Sequence, residues 1–253
     1  MEEKNLTFFE HLAELRRALV VSALAVMVGM VVGVIFSDYL DWAVRRPIAG
    51  LLPAGSDELV FLGVFEPIFY RLKLGLVGGL LLASPVVFWQ IWWFVSPGLY
   101  PHEKKLALPF IFLASAFFIG GAAFCYFIVL PKAVAFSLGQ LTDHTRIMLS
   151  VQSYLSSAAM FMLAFGVIFE TPLLVFLLCW IGVTTAERLG KLRKYILLGS
   201  FIIAAVLTPT PDVLNQAIMA IPLYVLFELG LLAARLLPRR KPQGQRDDPS
   251  EKR

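Results

Sequence analysis

Three glutamates lie where a carboxylate could bind a cation or carry a proton. Glu14 comes just before the first long apolar run, Glu103 lies in a Pro- and Gly-rich segment between two later runs, and Glu170 lies in the middle of a fourth. A carboxylate pairs bidentately with a guanidinium group. An acidic side chain inside a membrane span costs roughly 2.5–3.5 kcal/mol on insertion scales, so it is a functional candidate by default.

Each glutamate also has a structural explanation, and the residues alone leave both explanations open. Residues 7–10 (Thr-Phe-Phe-Glu) form a capping box, so Glu14 would belong to an interfacial anchor helix. Pro101 suits the first position of a helix, where the helix dipole would favour the carboxylate of Glu103. Glu170 would then be a neutral acid bonded to a neighbouring helix.

Patterns for catalysis, metal binding or nucleic-acid binding do not occur in the sequence. Cys125 and Cys179 form no C-x-x-C pair, and the three histidines form no H-E-x-x-H motif. The apolar runs contain no His or Asp, which argues against an intramembrane protease. The net charge of +4 comes mainly from the C-terminal tail. We therefore expect no enzyme activity, no cofactor, no metal and no nucleic-acid partner.

The composition indicates a polytopic helical membrane protein. Of the 253 residues, 58% are hydrophobic and 16% are charged, against about 45–50% and about 25% in soluble domains. A helix needs about 20 apolar residues to cross a bilayer. The pattern predicts an all-α fold with six transmembrane helices at residues 18–36, 74–95, 106–130, 158–183, 195–207 and 213–232.

The fourth predicted span has two interpretations, because residues 147–186 carry one charge, that of Glu170, in a segment too long for one crossing. It could form two spans hinged at Glu170, or one span preceded by an interfacial stretch at residues 147–157. We favour the single span, since a hairpin inside lipid would leave backbone groups unpaired.

The last two predicted helices are short and are joined by a turn containing Pro209 and Pro211. Such a pair should thin the bilayer locally or be sheltered by neighbouring helices. Prolines inside or beside the spans predict kinks and a curved bundle. These prolines are Pro85, Pro109, Pro131, Pro172 and Pro222.

The basic residues predict that both termini lie in the cytoplasm, because Lys and Arg accumulate in cytoplasmic loops. One face would carry Lys4, Arg16, Arg17, Lys104, Lys105, Arg188, Lys191, Arg193, Lys194 and the tail from Arg235 on, and the other Arg45, Arg46, Lys132 and Arg146. Residues 1–237 would form one membrane domain, and residues 238–253 a disordered basic cytoplasmic tail. The first apolar run is too long for a cleavable signal peptide.

Several motifs in order along the chain resemble the TatC family, the large membrane subunit of the twin-arginine protein translocase. The motifs are His11-Leu12-x-Glu14-Leu15-Arg16, Pro47, Phe94-x-x-Pro97-Gly98-Leu99-Tyr100-x-His102-Glu103, Phe165-Gly166-x-x-Phe169-Glu170-x-Pro172, Thr208-Pro209 with Pro211-Asp212, and Ala220-Ile221-Pro222. Each motif is weak by itself. Their shared order and spacing cover the chain up to its tail.

The resemblance implies a receptor in the bacterial or archaeal cytoplasmic membrane. It would bind twin-arginine signal peptides of folded precursor proteins at its cytoplasmic face, with transport driven by the proton-motive force. By likeness to the family, the signal-binding residues are Glu14, Glu103, Arg16 and Phe94. Small single-span subunits of the TatA and TatB kind would contact Thr208 and Gln216, within a larger complex that contains several copies of the chain.

Further positions match the family less directly. Glu170 and Asp212 match family acidic positions, and Pro47 matches a proline of the first external loop. Thr210 separates two prolines, which makes this turn one residue longer than the family pattern and leaves the orientation of Gln216 open. The alternative function is a proton-coupled secondary transporter that uses Glu170, although the internal repeats typical of such proteins are not evident.

Overall fold

The computed structural model describes residues 8–48, 50, 60–96, 107–139, 150–207 and 213–236. The regular elements in these ranges are helices, and the β-structure there is one isolated bridge between Val60 and Ser150. The all-α prediction is therefore confirmed. The helices are α1 (Phe8–Ile35), α2 (Ser37–Arg45), α3 (Glu66–Val95), α4 (Ala107–Phe124), α5 (Leu130–Gly139), α6 (Val151–Phe169), α7 (Thr171–Trp180), α8 (Ala186–Lys191), α9 (Arg193–Leu207) and α10 (Val213–Arg235).

Within the described residues, five helical stretches are long and apolar enough to cross a membrane. They are Phe9–Ile35, Glu66–Val95, Ala107–Gly139, Val151–Trp180 and Gln216–Arg235. The short helix predicted ahead of the last one is α9, whose 15 residues extend about 22 Å, less than the hydrocarbon thickness of about 30 Å. The chain divides into two compact units, Met1–Gly166 and Val167–Arg253, which are described separately below.

In the first unit, α1 and α3 pack antiparallel through glycines. A Cβ atom added at Gly33 would lie 2.6 Å from the carbonyl oxygen of Gly75. One added at Gly29 would lie 2.5 Å from the carbonyl oxygen of Gly79. Each helix therefore presents a small-x-x-x-small pattern to the other, which allows close packing of membrane helices. These glycines are spaced four residues apart in the sequence, but our prediction of the helices did not use that spacing.

Two tyrosines from later helices close the C-terminal end of α2. The hydroxyl of Tyr126 donates a hydrogen bond to the carbonyl of Ala43, and that of Tyr154 donates to the carbonyl of Val44 at 3.0 Å. The last carbonyls of a helix need partners from outside its own backbone ladder. These bonds therefore tie α2, a cap in the first inter-helix connection, to two helices distant in the chain.

A third tyrosine, Tyr70 of α3, also holds α2. The hydroxyl of Tyr70 on α3 donates to the carboxylate of Asp41, which also pairs with Arg45 at 2.7 Å. Burial lowers the pKa of Arg45, but the hydrogen bond and charge of Asp41 outweigh it, so the pKa lies above its usual value. We call this region the α2 end of the unit; the start of α1 and the end of α3 form the opposite end, the Glu14 end.

Between α4 and α5 the helix passes through a π-helical turn, Cys125–Val129, without ending. Pro131 explains this widening, because it has no N–H to donate to the preceding turn. Pro109 lies in the first turn of α4, where the missing N–H interrupts no intrahelical bond.

α6 and α7 together form one candidate span of 30 residues, interrupted by a tight turn at Glu170. α6 already begins at Val151, inside the stretch that we expected to lie at the surface. Val151 and Leu155 are buried in a cluster with Tyr70 and Leu74 of α3. Ser153 and Ser157 point outward, whereas Tyr154 is buried, so this stretch is a packed helix with one exposed polar face.

In the second unit, α10 packs closely on α7. A Cβ atom at Gly230 would lie 2.7 Å from the Cα of Pro172, at the start of α7. An apolar cluster continues this contact toward α8 and α9. Its buried members are Val175, Phe227, Leu231 and Ala234, with Cys179, Ala186, Leu189 and Ile196 packed against them.

Candidate functional site

At the Glu14 end, α1 places a carboxylate oxygen where it has no hydrogen-bond donor. Oε2 of Glu14 is inaccessible and has no hydrogen-bond partner among the residues that the structure describes. Nδ1 of His11, one turn earlier, lies 3.9 Å away, beyond hydrogen-bond distance. A buried acceptor without a donor is energetically costly. This oxygen could therefore accept a hydrogen bond from a donor outside the described residues.

His11 connects this carboxylate to α3. Its ring stacks on Phe94, with centroids 4.4 Å apart and planes 17° apart. Phe94 occupies the last turn of α3, so the stack joins the start of one predicted span to the end of the next. Sequence reasoning named Glu14 and Phe94 but gave His11 no role. The signal was its i, i+3 spacing from Glu14, which places both on one helix face.

The other signal-binding candidates are distributed differently. Arg16 is on α1 and exposed, two residues from Glu14 and hence on another face of the helix. Glu103 lies outside the described residues, so the structure gives no distance between it and Glu14. The structure therefore brings together Glu14 and Phe94, through His11.

Glu170 lies at the break between α6 and α7. Its Oε1 is inaccessible and lacks a hydrogen-bond partner within the described part of the chain. Its backbone N–H donates to Val167 at 3.1 Å, and its carbonyl accepts from Leu174 at 2.8 Å. Pro172 lies in the first turn of α7 and has no N–H, so no acceptor is needed at that position. The backbone around Glu170 is thus hydrogen-bonded, whereas Oε1 of its side chain has no partner among the described residues.

Gln216 uses its side-chain amide within the second unit. Its Nε2 donates to the carbonyl of Phe201 at 2.8 Å, which links α10 to α9. Thr208 and Asp212, the candidate residues of the connecting turn, lie outside the described residues. Gln216 therefore joins the two helices, while the polar surface expected around the turn stays a prediction.

Pro47 lies in the turn directly after α2, between Arg46 and the fully buried Ile48. The tyrosine bonds to Ala43 and Val44 hold the helix that leads into this turn. Pro47 therefore belongs to an anchored part of the α2 end.

An ion pair that sequence reasoning did not single out joins α9 to α10. Nε and Nη2 of Arg193 lie 2.6 Å and 2.7 Å from the two carboxylate oxygens of Glu228. Tyr224 donates to the same carboxylate at 3.0 Å. The hydrogen bond to Glu228 raises the pKa of Arg193 above its usual value. Glu228 thus has hydrogen-bonded partners, whereas Oε2 of Glu14 and Oε1 of Glu170 have no hydrogen-bond partner among the described residues.

Within the described ranges, no group of three or more His, Cys, Asp or Glu side chains could hold a metal ion. Cys125 is buried and Cys179 half-buried, and both are free thiols.

A family model described as Sec-independent protein translocase protein (TatC) matches residues 10–222. The chain belongs to the TatC family. A TatC protein of Carboxydothermus hydrogenoformans is 37% identical over 246 residues, covering 97% of this chain and all of the relative. The TatC of Escherichia coli K12 is 39% identical over 225 residues, 89% of this chain and 86% of the relative.

Solved structures agree with the family match. A crystal structure described as twin arginine translocase receptor TatC in DDM superposes with a TM-score of 0.79 at 38% identity, covering 90% of this chain and all of the other. The six-span helical fold is therefore confirmed. As a TatC-family member, the protein is a multi-span membrane component of a translocase, works with other translocase subunits, and is not an enzyme.

Proposed function

We propose that this TatC-family protein is the receptor subunit that binds twin-arginine signal peptides of folded precursors at its Glu14 end. The observation that carries the proposal is the buried Oε2 of Glu14, which lacks a hydrogen-bond donor in the described chain. A signal guanidinium would supply that donor. The E. coli relative is named a Sec-independent protein translocase protein, and a solved relative is described as a translocase receptor.

The side chains around Glu14 favour an arginine over a lysine. A guanidinium is planar and donates two parallel hydrogen bonds to a carboxylate, whereas an ammonium is a compact point charge. The stacked rings of His11 and Phe94 form an aromatic wall beside the carboxylate, and a guanidinium stacks on such a wall. Glu103 would supply the second carboxylate for the second signal arginine, and Arg16 would line the same region.

Charge distribution supports a cytoplasmic location for the Glu14 end. Arg16 and Arg17 mark this end of α1, and Lys104 and Lys105 lie in the segment between α3 and α4. The positive-inside tendency then places this end, and both termini, in the cytoplasm of a bacterial or archaeal cell. Precursors would meet the receptor there, and transport would depend on the proton-motive force.

The remaining candidates belong to assembly and transport. Thr208 and Gln216 would contact small single-span subunits of the TatA and TatB kind, since a polar group in lipid favours a polar partner. Glu170 and Asp212 would be functional acids and Pro47 a functional loop residue. Several copies of this chain would assemble in one complex.

A pull-down experiment tests the receptor function. The protein, in detergent, is incubated with a folded reporter that carries a twin-arginine signal or a matched lysine-lysine signal. We expect retention of the twin-arginine fusion and background retention of the lysine-lysine fusion. Equal retention of both fusions would contradict a twin-arginine receptor.

A further inference from the structure

At the α2 end, an apolar patch is exposed on the turn that leads into α3. It consists of Leu62, Val64, Phe65, Ile68 and Phe69, and we call it the turn patch. Val64 is 90% exposed and Leu62 70% exposed, and the other three are also exposed. Soluble surfaces rarely expose so many large apolar side chains together, so a patch of this kind marks an interaction surface.

The turn patch is held in place by hydrogen bonds. The N–H of Leu62 donates to Oε2 of Glu66 at 2.6 Å, and the N–H of Glu66 donates to the carbonyl of Gly63 at 3.2 Å. The N–H of Val151 donates to the carbonyl of Val60 at 3.2 Å, which ties the turn to the start of α6. The outward position of these side chains is therefore built into the fold.

The patch is uncovered because α1 is shorter than α3 at this end. Gly33 packs beside Gly75, and α1 ends at Ile35. Since the two helices are antiparallel, the first turns of α3 extend beyond the end of α1. The side chains of these first turns therefore have no part of α1 packed against them.

The patch is continuous with a surface that faces lipid. Leu72 and Leu76 follow Ile68 and Phe69 at helical spacing on α3 and are also exposed. α3 has 30 residues, hence a length of about 45 Å, which matches the roughly 40–45 Å of a bilayer including its headgroups. A helix of this length reaches from one headgroup layer to the other.

The charged and aromatic residues next to the turn patch are of the kinds found in the headgroup layer of a bilayer. Arg71, on α3, pairs with Asp38 of α2 at 3.2 Å in an exposed position. On α2, Trp42 and Tyr39 are exposed, and the guanidinium of Arg46 lies 5.0 Å from the Trp42 ring. Aromatic rings with nearby basic groups are typical of the membrane–water interface.

We propose that the turn patch and the exposed face of α2 are embedded in the headgroup layer of the leaflet at the α2 end. The partner of this surface is the lipid bilayer itself. The first turns of α3 and the cap helix α2 would then rest on the membrane instead of projecting into the aqueous phase. By the charge distribution, this is the leaflet opposite the cytoplasm.

Spin labels in proteoliposomes test this placement. A label at Val64→Cys, in the full chain with Cys125→Ala and Cys179→Ala, is compared with one at Gly50→Cys, beyond the end of α2 and outside the proposed membrane surface. Both sites are exposed, and a Cβ atom at Gly50 would have nothing within 4 Å, so labelling should not disturb folding. Power saturation with oxygen and with a neutral nickel chelate then reports lipid and water contact.

We expect the oxygen-to-nickel accessibility ratio at Val64 to exceed that at Gly50 several-fold. Equal, nickel-dominated accessibility at both sites would place the patch in water and overturn the proposal. Low accessibility to both reagents together with dipolar broadening would instead show a second copy of the chain on the patch, which also overturns it. The native-gel size of each labelled variant serves as the folding control.

Discussion

The carbonyl oxygen of Gly79 occupies the space that a side chain on Gly29 would need, since a Cβ there would lie 2.5 Å from it. Gly33 and Gly75 repeat the relationship one turn along. The contact brings two helix backbones together without intervening side chains. Such packing depends on van der Waals contact, because lipid supplies no hydrophobic drive between helices.

Gly79→Ala should destabilise the protein by about 1–3 kcal/mol, because the added methyl group would overlap the backbone of α1. Thermal or denaturant unfolding of the purified protein in detergent measures the effect. Gly120→Ala is the matched control, since nothing lies within 4 Å of a Cβ there. The control should gain up to about 1 kcal/mol of helix stability. Equal effects of both substitutions would contradict the packing contact.

Glu14→Gln should weaken binding of a twin-arginine peptide roughly 10- to 150-fold, because a hydrogen bond to a charged group contributes about 1.5–3 kcal/mol. The measurement is a peptide titration in detergent, repeated at raised ionic strength, where wild-type binding should weaken. Asp38→Asn removes a carboxylate charge at the opposite, α2 end of the unit and should bind as wild type. Unchanged affinity of Glu14→Gln would remove Glu14 from the site.

Tyr154→Phe should lower stability by about 0.5–1.5 kcal/mol, because it removes the donor to the carbonyl of Val44 while preserving the ring. Backbone amide hydrogen exchange should increase more in α2 than in the rest of the protein. Tyr39→Phe, a hydroxyl deletion at an exposed position on α2, is the control. If α2 exchanged equally in both variants, the tyrosine bond would not anchor the helix.

Glu170→Gln should retain more export activity than Glu170→Lys in cells that lack the native protein. The amide keeps the size of the side chain and carries no charge, whereas a lysine places a cation in the span. Immunoblots of the membrane fraction control for the amount of each variant. Equal loss of export in both variants would indicate that the ionised carboxylate is required.

The sequence predicted the membrane helices well because hydrophobic length is a local property. The apolar runs marked the five long spans and the short α9. The start of α6 was harder, since the polar residues within 147–157 suggested a surface stretch. Whether such residues face outward while Val151 and Leu155 face a neighbour depends on where α3 lies.

For the candidate site residues, too, the sequence supplied some features and the packing of the helices supplied the others. Residue types and spacing identified Glu14 and Glu170 from the sequence, and the family resemblance gave them roles and added Phe94. The stack of His11 on Phe94 could not be predicted, because it joins residues that are far apart in the chain. The pairing of Arg193 with Glu228 joins two helices in the same way.

The sequence by itself determined that this chain is a helical membrane protein with few, localised charges, because lipid imposes length and polarity on each span separately. It also carried the motifs of the TatC family. Only the tertiary structure decided which carboxylates have partners: Glu228 does, whereas Oε2 of Glu14 and Oε1 of Glu170 have no hydrogen-bond donor among the described residues. The physical reason is that a side chain's partners come from neighbouring helices, and helix packing is set by close contacts such as that of Gly29 with Gly79.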